Sequence, residues 1–262
     1  MHNFEFVRPS SIADAVAALA SEDAQPLSGG QTLIPSMKAR LNAPELLVSL
    51  TGIAEMKGVC RDGDALVIGA ATTHAEVASA AAGDFPGLAA LAGQIGDPAV
   101  RARGTIGGSL ANNDPSACYP AAVLGTGATI VTDRREIGAD DFFQGMFTTA
   151  LDEGEIITSV RLPIPQASAY AKFLQPASRF ALTGVFVAKY ASSVRVAVTG
   201  ASEDGVFRWA EAEAALSSSF DAEAIAGLTH PSEGMISDLH GTPEYRANLV
   251  RVMTGRAVSA AG

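Results

Sequence analysis

Apolar positions along this 262-residue chain fall into short runs of two different periods, divided by glycine and proline. Residues 4–7 alternate and predict a strand that Arg8-Pro9-Ser10-Ser11 brings to an end. Ser10 or Ser11 then caps a helix over 12–20, where Ile12, Val16 and Leu19 recur at helical spacing. Pro26-Leu27 leads into Ser28-Gly29-Gly30-Gln31-Thr32, a glycine loop, followed by a helix over 33–41 and a strand over 46–50. Up to residue 50 the pattern is a β-α-β unit with the glycine loop after its second strand-like segment.

Beyond Gly52 the texture changes. Residues 65–68 predict a strand, Thr72 or Thr73 caps a helix reaching 82, and Pro86 opens a helix over 86–93. A dense loop follows, with Asp97-Pro98-Ala99-Val100-Arg101-Ala102-Arg103-Gly104-Thr105-Ile106-Gly107-Gly108-Ser109 at its centre. Residues 120–124 read as helix, and 129–132 and 154–162 as strands. Pro163-Ile164-Pro165 is the best domain boundary; past it, 171–174, 184–190 and 194–198 predict three antiparallel strands, then helices over 209–216, 222–228 and 243–260. The expected division is 1–52, 53–163 and 164–262, the last unit holding a three-stranded sheet plus helices.

Charge and composition narrow the function classes. Lys+Arg 18 against Asp+Glu 28 leaves a net charge of −10, which argues against a nucleic-acid partner and against docking on anionic lipid. A 48% hydrophobic content with only 18% charged residues is enough to build a substantial core. The two cysteines, Cys60 and Cys118, cannot form an iron–sulfur cradle, and no metal site is expected in this chain. The start, Met1-His2-Asn3-Phe4-Glu5-Phe6, lacks the apolar core of a signal peptide, and the longest apolar stretch, 121–131, is broken by Gly125 and Gly127. A cytoplasmic protein without membrane insertion is the expectation.

The two double-glycine loops are the main chemical signal. Glycine permits positive φ and close backbone approach, so successive N–H groups can converge on one anion, and hydroxyls at Ser28, Thr32, Thr105 and Ser109 would add donors. A pyrophosphate clamp and a pair of tight turns account for the residues equally well. Competing motifs fail: Gly125-Thr126-Gly127 lacks the third glycine of a dinucleotide fingerprint, and His74-x-Glu76 has no zinc-binding partner motif and is placed on a helix surface. Cys118 is read as a small buried thiol, Trp209 as core, and Arg101 and Arg103 equally as pyrophosphate partners or solvated side chains.

Both loops resemble those of a known family. Leu27-Ser28-Gly29-Gly30-Gln31-Thr32-Leu33-Ile34-Pro35 resembles the first flavin loop of the medium subunits of molybdenum hydroxylases, the carbon monoxide, xanthine and nicotine dehydrogenase types. The 97–109 segment resembles the second. Gly154-Glu155-Ile156-Ile157, Val198-Thr199-Gly200-Ala201 and Gly241-Thr242-Pro243-Glu244-Tyr245-Arg246 extend the likeness over essentially the whole chain. The resemblance implies an α+β, vanillyl-alcohol-oxidase-like FAD-binding domain of two subdomains plus a C-terminal domain of antiparallel sheet and helices. It implies an oxidoreductase subunit that binds FAD, with a large molybdenum–pterin subunit and a small iron–sulfur subunit as partners in a heterotrimer, passing electrons to an external acceptor.

Carried over residue by residue, Ser28, Gly29, Gly30, Gln31 and Thr32 would hold the pyrophosphate and ribityl, with Thr105, Gly107, Gly108 and Ser109 opposite. Val100 and Gly104 would run along the adenine side, Asp114, Ile157 and Lys172 along the cofactor, and Leu33 and Ala111 would extend the two loops. No residue of this chain is assigned a catalytic acid or base. Three positions depart from the family pattern: Ser109 where asparagine is common, Cys118 where an acidic residue is common, and Leu174 where a basic one is. The alternatives are a stand-alone flavin oxidoreductase of the same fold and a non-catalytic nucleotide-binding subunit.

Overall fold

The first unit runs β1 (Glu5–Val7), α1 (Ile12–Leu19), β2 (Ala24–Leu27), α2 (Leu33–Lys38), β3 (Leu46–Ser49) in a computed structural model that describes residues 1–176 and 178–262. β3 lies between β1 and β2 and parallel to both, so α2 carries the crossover from β2 to β3. Ser11 is the cap of α1, accepting the Asp14 N–H at 3.1 Å. α2 stops at Lys38, three residues short of the predicted end, because Arg40 turns into positive φ (60°).

The second unit is built on a five-stranded antiparallel sheet in the order β4-β5-β10-β6-β7, formed by β4 (Val59–Asp62), β5 (Ala65–Gly69), β6 (Thr129–Thr132), β7 (Glu136–Gly138) and β10 (Ile157–Pro163). Between β5 and β6 the chain makes α3 (His74–Ala80), α4 (Pro86–Gly93), α5 (Pro98–Arg101), α6 (Ile106–Asn112) and α7 (Tyr119–Thr126). α8 (Ala139–Phe142) and the hairpin β8 (Phe143–Gly145), β9 (Thr148–Thr149) precede β10. Three of the helices around the site have a local start signal: Thr73 and Glu76 form a capping box on α3, Asp97 caps α5, and Thr105 caps α6. All eight residues of α7 are buried, so the interrupted apolar stretch is the end of a core helix followed by the start of β6. Among the described residues no helix is long and apolar enough to cross a membrane.

Four strands, not three, make the C-terminal sheet: β11 (Ala167–Leu174), β12 (Ala181–Lys189), β13 (Val194–Ser202) and β14 (Gly205–Arg208), an antiparallel meander. β14 is only four residues long and follows a turn closed by Gly205 at φ +90°, too short a run to show a period. α9 (Ala210–Ser218) and α10 (Pro243–Ala261) follow, while the helix expected over 222–228 is a single 3₁₀ turn, Ala222–Ile225. β12 is buried along nearly its whole length because helices cover both faces. Phe186 and Ala188 join the core that α4 and α7 share, whereas Val185 and Val187 join the core under α9 and α10. This period-two split ties the C-terminal unit to the half of the molecule that carries the two glycine loops.

Candidate functional site

All the residues assigned from the sequence line one cavity of about 680 Å3: Ser28 to Leu33, Val100, Gly104, Thr105, Gly107 to Ser109, Ala111, Asp114, Ile157 and Lys172. That volume suits a cofactor-sized molecule. The first loop lies between β2 and α2. Among the described residues, none of the backbone N–H groups of Gly29, Gly30, Gln31 and Thr32 donates a hydrogen bond within the protein. Four successive free donors beside the start of a helix form a ready cradle for an anion. Gly30 sits at φ +70°, a conformation that costs other residues about 1–2 kcal/mol.

The second loop is built differently. It leaves α5 and becomes the first turn of α6, with no strand directly before it. Its donors are committed internally: Ile106 N–H to Thr72 O at 3.2 Å, Gly107 N–H to Ala70 O at 2.9 Å, and Ser109 N–H to Thr105 O at 3.0 Å. Gly108 N–H goes to the Thr105 hydroxyl at 3.2 Å, and that hydroxyl lies 2.8 Å from the Ser28 hydroxyl. Ser28 and Thr105 therefore clasp the two loops together.

In each double glycine the Cβ position of the first member is occupied by protein. A Cβ on Gly29 would overlap the carbonyl of Arg103 and the Cα of Gly104, and one on Gly107 would overlap Ala70. Gly108, by contrast, is exposed.

The opposite wall is supplied by the segment from Asp114 to Cys118 and by β11. Asp114 accepts the Ser116 N–H at 2.8 Å, and partial burial holds its carboxyl above the usual carboxylate range. Lys172 donates to the Gln94 carbonyl at 2.9 Å and to the Cys118 sulfur at 3.5 Å. The C-terminal unit braces this wall: Thr199 donates its hydroxyl to the carbonyls of Pro115 (2.9 Å) and Ala117 (2.8 Å), and Gly200 N–H donates to Pro115 at 2.7 Å. Fully buried Arg246 donates in turn to the carbonyls of Leu182 and Gly200 and to Asp238. The 198–201 and 241–246 motifs thus act on the cavity from behind.

Two solved structures share this architecture over nearly their full length. Reconstituted CO dehydrogenase from Oligotropha carboxidovorans matches with a TM-score of 0.88 at 34% identity, covering 99% of this chain and 98% of that one. Quinoline 2-oxidoreductase from Pseudomonas putida 86 matches at 0.87 and 27% identity, covering 99% and 97%. The family model described as the FAD binding domain in molybdopterin dehydrogenase matches residues 2–165, more than half of the chain and both glycine loops. This chain belongs to the FAD-binding medium-subunit family of molybdenum hydroxylases. The medium subunit is 36% identical to the carbon monoxide dehydrogenase medium chain of Afipia carboxidovorans, over 99% of this chain and 96% of that one. It is 35% identical to the nicotine 6-hydroxylase medium subunit of Paenarthrobacter nicotinovorans, over 98% and 96%. It is a flavoprotein component of an oxidoreductase, and FAD is its cofactor. The site fits that cofactor: four free N–H donors and a glycine at positive φ suit an anionic group, and the cavity has room for a molecule of that size.

Of the side chains weighed singly, Cys118 is a buried thiol on the cavity wall of this medium subunit, and Trp209 is core. Arg101 donates to the Ile95 and Gly96 carbonyls, and the Arg103 side chain is exposed; neither lines the cavity. The surface placement holds for Glu76 but not for His74, which is only 4% exposed and lines the cavity. Its N–H donates to the Gly104 carbonyl at 2.9 Å, its ring lies 5.3 Å from that of Tyr119, and burial with nearby Arg101 pushes its pKa down to about 4. The available signal is its spacing to Val77 and Ala81, a shared inward helical face.

Proposed function

We propose that this chain binds FAD between its two glycine loops and relays electrons from iron–sulfur clusters on a small partner subunit to an external acceptor. In this reading a large molybdenum–pterin subunit oxidises the substrate, the three chains form the working unit, and the complex resides in the cytoplasm. The observation that carries it is the convergence of every residue assigned from the sequence on one cavity. FAD, when bound, supplies the one- and two-electron exchange for which the side chains have no group.

The chain's own residues hold and shape. The free N–H groups from Gly29 to Thr32 receive the pyrophosphate, and the Ser28–Thr105 clasp sets the distance between the loops. Val100 and Gly104 line the adenine side, Leu33, Ala111, Asp114 and Ile157 extend the walls, and Lys172 is held there by the Gln94 carbonyl and the Cys118 sulfur. Residues 1–52 and 53–163 act as the two halves of the flavin domain, and 164–262 as the unit that props the 114–118 wall.

Purification with the native partners, an absorbance spectrum, then denaturation and identification of released cofactors tests the proposal. FAD from this chain with molybdenum and iron in the others is the expected result. FAD in a chain that has no such partners points to the stand-alone flavin oxidoreductase instead. An intact complex without flavin sinks the reading.

A further inference from the structure

The medium subunit also buries a histidine on the cavity wall, outside both glycine loops. We propose that His74 contacts the cofactor directly, its Nε2–H donating a hydrogen bond to an oxygen of the AMP half of FAD, from the second-loop side. This rests on the cavity being the FAD site.

Nδ1 of His74 is fully buried and has no hydrogen-bond partner among the described residues. Nε2 is the nitrogen beside Gly104, at the end of the cavity that also holds Val100 and Thr105. With its pKa near 4, the ring is neutral at pH 7 and carries one N–H. On Nδ1 that proton would be an orphan donor, since that atom has no partner among the described residues. On Nε2 it leaves only an orphan lone pair, and unpaired acceptors are tolerated better than unpaired buried donors. The proton therefore sits on Nε2, where the cavity is.

The surroundings are arranged for that nitrogen. A Cβ on Gly104 would come within 2.5 Å of Nε2 and 2.9 Å of Cδ2, and Gly104 has no positive φ to explain its lack of a side chain. Room for the imidazole is what position 104 supplies. The backbone is pinned too, by the His74 N–H bond to the Gly104 carbonyl and by the Thr73–Thr105 bridge. Arg101, tied to the carbonyls of Ile95 and Gly96, places a positive charge close enough to help depress the imidazole, and the same charge favours an acceptor that carries negative charge. A histidine kept only for packing would be replaced at less cost by an apolar ring, since a buried unpaired polar atom is unfavourable.

The test uses the full chain freed of flavin, titrated with FAD, with FMN and with ADP, as wild type, His74→Phe and His74→Gln. Gln retains a donor near the Nε2 position, whereas Phe retains the ring without one. The expected result is that His74→Phe weakens FAD and ADP roughly ten- to a hundredfold while His74→Gln stays within a few-fold of wild type. FMN binding, unchanged in both, doubles as the check on folding. Wild-type affinity for FAD in His74→Phe overturns the proposal, as does equal weakening of FMN and FAD. A His74→Gln protein as impaired as His74→Phe returns the residue to a packing role. Failure of the wild type to bind any of the three ligands would instead remove the cavity assignment beneath it, a distinct outcome.

Discussion

The two double-glycine loops look alike in sequence and are built on opposite plans. The first keeps its donors: Gly29 to Thr32 offer N–H groups that nothing in the described protein accepts. The second commits its donors to Thr72, Ala70 and Thr105 and offers the cavity a wall. A pyrophosphate clamp does not need two sets of free donors. It needs one set, and a rigid partner that fixes where that set points. Within the second pair the labour divides again, Gly107 giving way to Ala70 and Gly108 standing exposed on the cavity side.

The largest expected effect breaks that inner division. Gly107→Val forces a side chain onto Ala70 and lowers stability by about 3 kcal/mol, roughly 6–10 °C in Tm, in the flavin-free chain. Gly108→Val places its Cβ 3.0 Å from the Thr105 hydroxyl and 3.7 Å from the Ser28 Cβ, on the cavity side. Its Tm without flavin stays within a few degrees of wild type, and flavin retention is lost. Thermal melts and released-flavin assays on both variants decide the matter. A Gly108→Val protein with full FAD, or a Gly107→Val protein that melts like wild type, contradicts the division.

Much of this architecture is legible in the amino-acid sequence. The elements before residue 50 and the caps, narrowed to Ser10 or Ser11 and to Thr72 or Thr73, follow from short-range chemistry, and the set of cavity residues from the family resemblance. What the sequence conceals is long-range. The commitment of the second loop's donors depends on Ala70 and Thr72, which lie more than thirty positions away. The inward turn of His74 is masked by the exposed Glu76 beside it, and the role of Thr199 requires two units to be docked. β14 escapes a reading by period because four residues cannot establish one.

A smaller effect concerns pH and the second loop's brace. His74 has a folded pKa of about 4 against an ordinary value of 6.5, so between those values the unfolded chain takes up a proton that the folded one refuses. The stability present above pH 6.5 is therefore lost as pH falls toward 4, by roughly 3 kcal/mol over the whole window. Glu155, held near 2 by its hydrogen bonds to Arg135, loses its contribution only below the ordinary carboxylate range. Asp114, held above the usual carboxylate range, is common to wild type and His74→Phe, so the difference between their melts from pH 5 to 6.5 isolates the histidine. Wild type should lose stability across that range and His74→Phe should be flatter; parallel slopes would mean the imidazole is not shielded as described.

The smallest effect tests the clasp itself. Thr105→Ala removes both the α6 cap and the contact with Ser28, and should cost about 1–2 kcal/mol. Ser28→Ala removes the contact alone, and should cost less than about 1 kcal/mol. If the 2.8 Å hydroxyl pair couples the loops, the double variant is less destabilised than the sum of the singles, by about 0.5–1 kcal/mol. FAD affinity separates the partners further: loosening the clasp moves the first loop's free donors, so both single variants weaken FAD even though only Thr105 caps a helix. Strict additivity in stability, with FAD affinity untouched in Ser28→Ala, would show that the loops hold their spacing without the hydroxyls and that Gly29 packed on Arg103 and Gly104 sets it alone.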